Sequence, residues 1–243
     1  MFSVIFPGQG SQSVGMAREF YDKFEKFKKI FNDADNILDY PISKLILDGP
    51  KQELNLTENT QPAIFLVGYS IFKIINEEFN IDLNKASFFA GHSLGEYTAL
   101  SCSGAIDFES ALKLLKIRGR AMQNSVPKDA GGMIAILGTS IENIEKILIN
   151  NSHKYTCHIA NDNSTNQIVI SGYNLDLDNF EKDLKILKIK NIRLQVSAPF
   201  HCNLMNKATI LMTDEINKLK IIQPKNPIVT NVTGKATNDI SQI

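Results

Sequence analysis

Ala86-Ser87-Phe88-Phe89-Ala90 runs directly into Gly91-His92-Ser93-Leu94-Gly95, and a helical stretch opens at Glu96. The first five residues read as a short buried strand that Gly91 ends. A strand, a G-x-S-x-G pentapeptide and a helix in succession are the context of a nucleophile elbow. The turn is so tight that glycine is needed on either side of it, which pushes the serine out above a sheet. The Ser93 hydroxyl then lies at a helix N-terminus, where backbone N–H groups can stabilise an oxyanion. A chance Gly/Ser turn is the competing reading, and the strand–turn–helix setting disfavours it.

Upstream, Phe2–Phe6 reads as a first strand leading into the loop Pro7-Gly8-Gln9-Gly10-Ser11-Gln12. Phe20, Phe24, Phe27 and Phe31, spaced four, three and four apart, predict one helix with an aromatic face. A second helix is expected from about Thr60 to Phe79, and Asp107 is a plausible N-cap for a third reaching about Asn124. Strands alternating with helices imply an α/β fold with a parallel sheet covered on both faces.

The rhythm changes after Pro127. Strands are expected at Gly132–Leu137, Tyr155–Ala160, Gln167–Ser171 and Ile192–Ser197, with helices at Ile141–Asn150 and Leu175–Lys188. That order, β-α-β-β-α-β, is ferredoxin-like. It places an inserted subdomain at 128–197 within a core formed by 1–127 and 198–243. The core resumes with a helix over Leu204–Lys220 and a strand over Pro227–Asn231. A crossover helix should follow such a strand, yet little sequence remains before Ile243.

The 243 residues carry 26 basic and 26 acidic side chains, a formal net charge of zero. That balance argues against nucleic acid or an anionic membrane as a partner, since both want a basic excess. Ala63–Ile75, the most apolar stretch, is too short to span a bilayer. Cys102, Cys157 and Cys202 are odd in number and far apart, as expected of free thiols in a reducing cytoplasm.

A serine nucleophile needs a base, and the chain has four histidines. His92 sits inside the strained turn and suits a buttress. His153 and His158 fall in the insertion, where with Cys157 they resemble a metal site only loosely, so no metal is expected. His201, in Ala198-Pro199-Phe200-His201, is presented from a loop as the chain returns to the core and is the leading base. On the third helix Ala111, Leu115, Arg118 and Met122 form one stripe, which puts Arg118 on the apolar face while Arg120 points outward. A guanidinium there needs a carboxylate, either an internal Asp or Glu or an acyl group ending in one. The 8–12 loop lacks the third glycine of a dinucleotide fingerprint and the Lys of a Walker A loop; an oxyanion site and a structural turn both fit it.

Together, Phe6–Gln12, Gly91-His92-Ser93-Leu94-Gly95-Glu96-Tyr97, Arg118-Gly119-Arg120-Ala121-Met122-Gln123 and His201-Cys202 resemble the malonyl-CoA:acyl-carrier-protein transacylases of bacterial type II fatty-acid synthesis. The resemblance runs from the first strand to Asn231-Val232. It implies an α/β-hydrolase-like core with a ferredoxin-like insertion, and an acyltransferase that moves malonyl from malonyl-CoA to the phosphopantetheine thiol of acyl carrier protein. It also implies Ser93 as nucleophile and His201 as general base and acid. The N–H groups of Gln9 and Leu94 would form the oxyanion hole, Arg118 would bind the malonyl carboxylate, and Phe200 would favour unsubstituted malonyl. A cytoplasmic monomer with no cofactor of its own is expected. In the family a later segment supplies main-chain carbonyls that orient the histidine; it should follow Ile243, so a truncated, weakened enzyme is expected.

Two other readings stand beside this one. A serine esterase or thioesterase would want an acid between nucleophile and base, and Asp176, Asp178 and Asp183 all lie in the insertion; it also leaves Arg118 unexplained. A catalytically impaired chain could still bind carrier protein or CoA. A surface for an acidic carrier could use Lys182, Lys185, Lys188, Lys190 and Arg193, although a solvated helix face is the favoured explanation of each.

Overall fold

The computed structural model describes residues 1–127, 129–196 and 198–243. Along the chain the elements are β1 (Val4–Phe6), α1 (Arg18–Lys23), α2 (Glu25–Leu38), α3 (Ile42–Asp48), α4 (Lys51–Leu54) and α5 (Thr57–Glu78). Next come β2 (Phe89–Gly91), α6 (Leu94–Cys102), α7 (Phe108–Gln123), β3 (Gly131–Leu137), α8 (Ile141–Asn150), β4 (Cys157–Ser164) and β5 (Gln167–Tyr173). The chain finishes with α9 (Asn174–Ile186), β6 (Lys190–Arg193), α10 (Asn206–Ile216), β7 (Ile228–Val229) and β8 (Ala236–Thr237). Two compact units result, Met1–Arg120 with Asp214–Ile243, and Ala121–Thr213.

In the first unit the sheet order is β1-β2-β7-β8. β1, β2 and β7 run parallel, with Val4 opposite Phe89 and Phe89 opposite Ile228. Phe6, Phe72 and Phe89 meet edge-on or tilted with centroids 5.6–6.2 Å apart, at the centre of the apolar core. The single aromatic helix expected over Phe20–Phe31 is two helices, α1 and α2. Phe24 between them is extended (φ −116°, ψ 115°) and starts the second. Its ring still lies 5.9 Å from Phe20 and Phe20 lies 5.8 Å from Phe27, so the periodicity survives a break in the backbone. α5 starts one turn before Thr60, because the Asn59 amide donates to the Glu53 carbonyl and the Thr60 hydroxyl to the Leu54 carbonyl.

The strand expected at 227–231 shortens to two residues. A tight turn then returns β8 antiparallel to β7, and Asp239 caps a single 3-10 turn with its carboxylate on the Ser241 N–H.

The second unit has the order β4-β5-β3-β6, all antiparallel, in the β-α-β-β-α-β sequence. Strand alternation gives its sheet two apolar faces. Ile134, Ile136, Ile168 and Ile170 face Ile144, Ile147, Phe180 and Leu184 of the helices. Met133, Ala135 and Val169 share the other cluster with Met122, Val126, Ala198, Phe200, Met205 and Ala208. This second cluster draws 121–127 and 198–213 into the same compact unit as the insertion expected at 128–197. Lys128 and Ser197, where those expected borders fall, lie outside the described residues, as does the expected end of the last strand. That strand pairs instead over Lys190–Arg193, and β4 runs to Ser164 through two irregularities. No helix among the described residues is long and apolar enough to cross a membrane.

Candidate active site

Ser93 stands between β2 and α6 with φ 53° and ψ −109°, a backbone strained for any residue with a Cβ. A Cβ on Gly91 would come within 1.9 Å of the Gly95 carbonyl carbon, and one on Gly95 within 2.5 Å of the Phe6 oxygen. Both positions therefore require glycine, as the pentapeptide predicts. The His92 N–H donates to the Phe6 carbonyl at 3.1 Å and the Gly95 N–H to the His92 carbonyl at 2.9 Å, tying the turn to the end of β1. Leu94 is the first residue of α6, so its N–H is among the donors that a helix cannot satisfy internally. Gln9 is half-buried in the loop after β1, its side-chain amide donating to the Thr57 hydroxyl at 3.2 Å.

Arg118 lies on α7, whose Ala111 and Leu115 are fully buried, while Arg120 is exposed and pairs with Glu58 at 3.2 Å. Its Nη1 donates to Gln61 Oε1 at 2.8 Å and its Nη2 to the Ser93 hydroxyl at 3.2 Å. The guanidinium stands 5.4 Å from the centroid of the Tyr97 ring. Among the described residues no carboxylate comes within ion-pair distance of it, so the internal Asp or Glu partner does not materialise. Burial pulls its pKa down, with Tyr97 and then Glu96 opposing. The cation nonetheless persists at any physiological pH.

His201 belongs to the second unit. It is exposed and holds φ 56°. The neighbouring Phe200 is only 5% exposed and packs in the cluster with Met133 and Val169. The buried Ser171 hydroxyl donates to the Phe200 carbonyl at 2.5 Å, and the Cys202 thiol donates to the Pro199 carbonyl at 3.1 Å. His201, Cys202, Cys157, His158 and Glu145 line a cleft of about 380 Å³. The structure thus brings Ser93, Leu94, Arg118 and Gln9 into one unit and His201 with Phe200 into the other.

The model of the acyl transferase domain family matches residues 3–241. A malonyl CoA-acyl carrier protein transacylase of Salmonella typhimurium is 35% identical over 243 residues, covering all of this chain and 78% of its own length. The solved transacylase of Coxiella burnetii superposes with a TM-score of 0.94 at 38% identity, over 99% of this chain and 76% of that one. A malonyl-transacylase solved in complex with its type II polyketide acyl carrier protein superposes at 0.93 with 34% identity, over 99% and 77%. The chain belongs to the malonyl-CoA:acyl-carrier-protein transacylase family.

As a transacylase of this family it is an acyltransferase, with the α/β-hydrolase-like core and ferredoxin-like subdomain expected from the sequence. Three residues that sequence reasoning passed over support its candidate residues. Gln61 holds Arg118 from the start of α5, where Thr57, Asn59, Thr60 and Gln61 are all buried although polar, and nothing in that polar run of sequence marks it as buried. Asn231 and Ser171 carried no signal, since nothing local marks which sheet end or loop they meet. Two of the three acids a hydrolase would recruit have other partners: Asp178 pairs with Arg193 at 3.2 Å and Asp183 with Lys154 at 3.4 Å. Of the basic residues considered for an acidic carrier, Arg193 also bonds Glu181 and Asn174 within the subdomain, and Lys182, Lys185, Lys188 and Lys190 are exposed. Among the described residues no group of three or more His, Cys, Asp or Glu is placed to hold a metal.

Proposed function

We propose that this transacylase moves malonyl from malonyl-CoA to the phosphopantetheine thiol of acyl carrier protein by a ping-pong route through malonyl-Ser93. The Ser93 oxygen attacks the thioester carbonyl as His201 takes its proton. The N–H groups of Gln9 and Leu94 receive the oxyanion. The tetrahedral intermediate collapses, the C–S bond breaks, and His201 returns the proton to the CoA thiolate. The carrier thiol then attacks the malonyl ester, again with His201 as base and then acid, and Ser93 is regenerated.

The observation that carries this reading is the 3.2 Å contact between Arg118 Nη2 and the Ser93 hydroxyl. A malonyl thioester has its free carboxylate two carbons from the reacting carbonyl. A guanidinium that already reaches the nucleophile is at the right distance to grip that carboxylate with a planar pair of donors. Phe200 lines the acyl pocket in this reading and disfavours a substituted malonyl group. One chain carries nucleophile, base and clamp, so a monomer suffices and no resident cofactor is needed. Free Cys102, Cys157 and Cys202 suit a reducing cytoplasm.

Mixing the protein with malonyl-CoA, quenching in acid and weighing the intact chain tests the route. A mass gain of one malonyl group, mapped to the Ser93 peptide and absent in Ser93→Ala, is expected. A wild-type chain that acquires no adduct overturns it.

A further inference from the structure

The strand β7 ends two residues before Asn231, and that side chain spans the whole elbow. Its Oδ1 accepts the Ser93 N–H at 2.7 Å, and its Nδ2 donates to the Gly91 carbonyl at 2.7 Å. Its own backbone N–H donates to Glu96 Oε2 at 3.1 Å. Gly91, the serine itself and Glu96 in the first turn of α6 are thus tied to one residue from late in the chain.

The geometry points to Asn231 as the positioning residue of the nucleophile. Ser93 holds φ 53° and ψ −109°, which costs on the order of 1–3 kcal/mol and persists only where surrounding bonds over-determine it. Within the elbow, the His92 and Gly95 N–H groups fix the residues on either side of the serine. The Ser93 N–H is the donor whose direction sets the peptide plane entering the serine, and Asn231 takes it. An amide is the side chain for this task, because one end must accept from an N–H while the other donates to a C=O. Asn231 touches no reacting atom and acts through Ser93.

This inference rests on Ser93 being the acylated serine, so its test has one readout that does not. Hydrogen exchange of the peptide spanning the elbow reports the Ser93 amide with no turnover. Asn231→Ala is expected to speed that exchange about tenfold or more while the α7 peptide is unchanged. In rapid-quench acylation by malonyl-CoA the same variant should lose about tenfold to a hundredfold in rate, with KM within about threefold, because the nucleophile is misaligned while Arg118 remains.

Asn231→Asp separates positioning from bulk stability. Protonated, the carboxyl can still donate to Gly91 and accept from Ser93; ionised, it sets an oxygen against the Gly91 carbonyl. At pH 7, well above the ordinary aspartate value of about 3.9, its acylation rate should therefore lie about tenfold below wild type. Unchanged elbow exchange in Asn231→Ala, an acylation rate of that variant within twofold of wild type, or an Asn231→Asp rate equal to wild type at pH 7 each overturns the assignment. A wild-type chain that malonyl-CoA does not acylate would sink the proposed function instead, and the exchange experiment alone would then decide for or against Asn231.

Discussion

Ser93 and His201 both hold positive φ, 53° and 56°, yet the segments that carry them are restrained by different means. Around Ser93 the restraint is backbone geometry: two obligatory glycines and hydrogen bonds from His92 and Gly95 into neighbouring carbonyls, closed by the Asn231 amide. Around His201 the restraint is side-chain packing: Phe200 sunk in an apolar cluster, with the Ser171 hydroxyl on its carbonyl. The elbow has almost no room to relax, because the atoms in the way are main chain. The histidine loop is held by contacts that can give, which would suit the proposed role of His201 as a base serving two thiols in turn.

The largest expected effect comes from breaking the elbow. Gly91→Ala places a methyl 1.9 Å from a backbone carbon that cannot move without dragging α6. A loss of about 3 kcal/mol or more is expected from the urea midpoint, together with loss of acylation. A cost below about 1 kcal/mol would mean the elbow yields as readily as the loop, and the contrast would be wrong.

An intermediate effect is expected at the loop. Ser171→Ala leaves the buried Phe200 carbonyl without its donor, at a cost of about 1–3 kcal/mol. Acylation should slow by about threefold to tenfold with KM little changed, since His201 shifts but Arg118 does not. A rate equal to wild type would show that Phe200 burial alone sets the loop.

The smallest effect concerns Glu96, which accepts the Asn231 N–H and is pushed above the usual carboxylate range mainly by burial. The proton is held more tightly in the folded state, so the stability it contributes is complete below about pH 4 and is lost as pH rises through the raised value. Glu96→Gln mimics the protonated form and keeps an acceptor for Asn231. Its denaturation midpoint should match wild type at about pH 4 and exceed it at about pH 7. A variant less stable than wild type at neutral pH would show instead that the ionised carboxylate strengthens the elbow.

Much of the fold was legible because its signals are local. Gly91 and Gly95 bracket a serine that only a strand–turn–helix can present, and β3 and β5 alternate isoleucines with a period of two. Arg118 was legible from its place on the α7 stripe, though its partner was not. The break at Phe24 was hidden because both helices aim their rings at one core, so the apolar period crosses it undisturbed.

By itself, then, the sequence determined the elbow and the two-part α/β and ferredoxin-like order, and it marked Ser93, His201 and Arg118 as candidates. The elbow and the element order follow from steric and periodic rules that act within a few residues. Tertiary structure alone decided that Asn231, 138 residues on, closes the serine turn, that Gln61 holds Arg118, and that Phe200 and Met205 join the subdomain core. Each of those depends on which surfaces meet when strands pair across the chain, and no local pattern encodes which donor will face which acceptor.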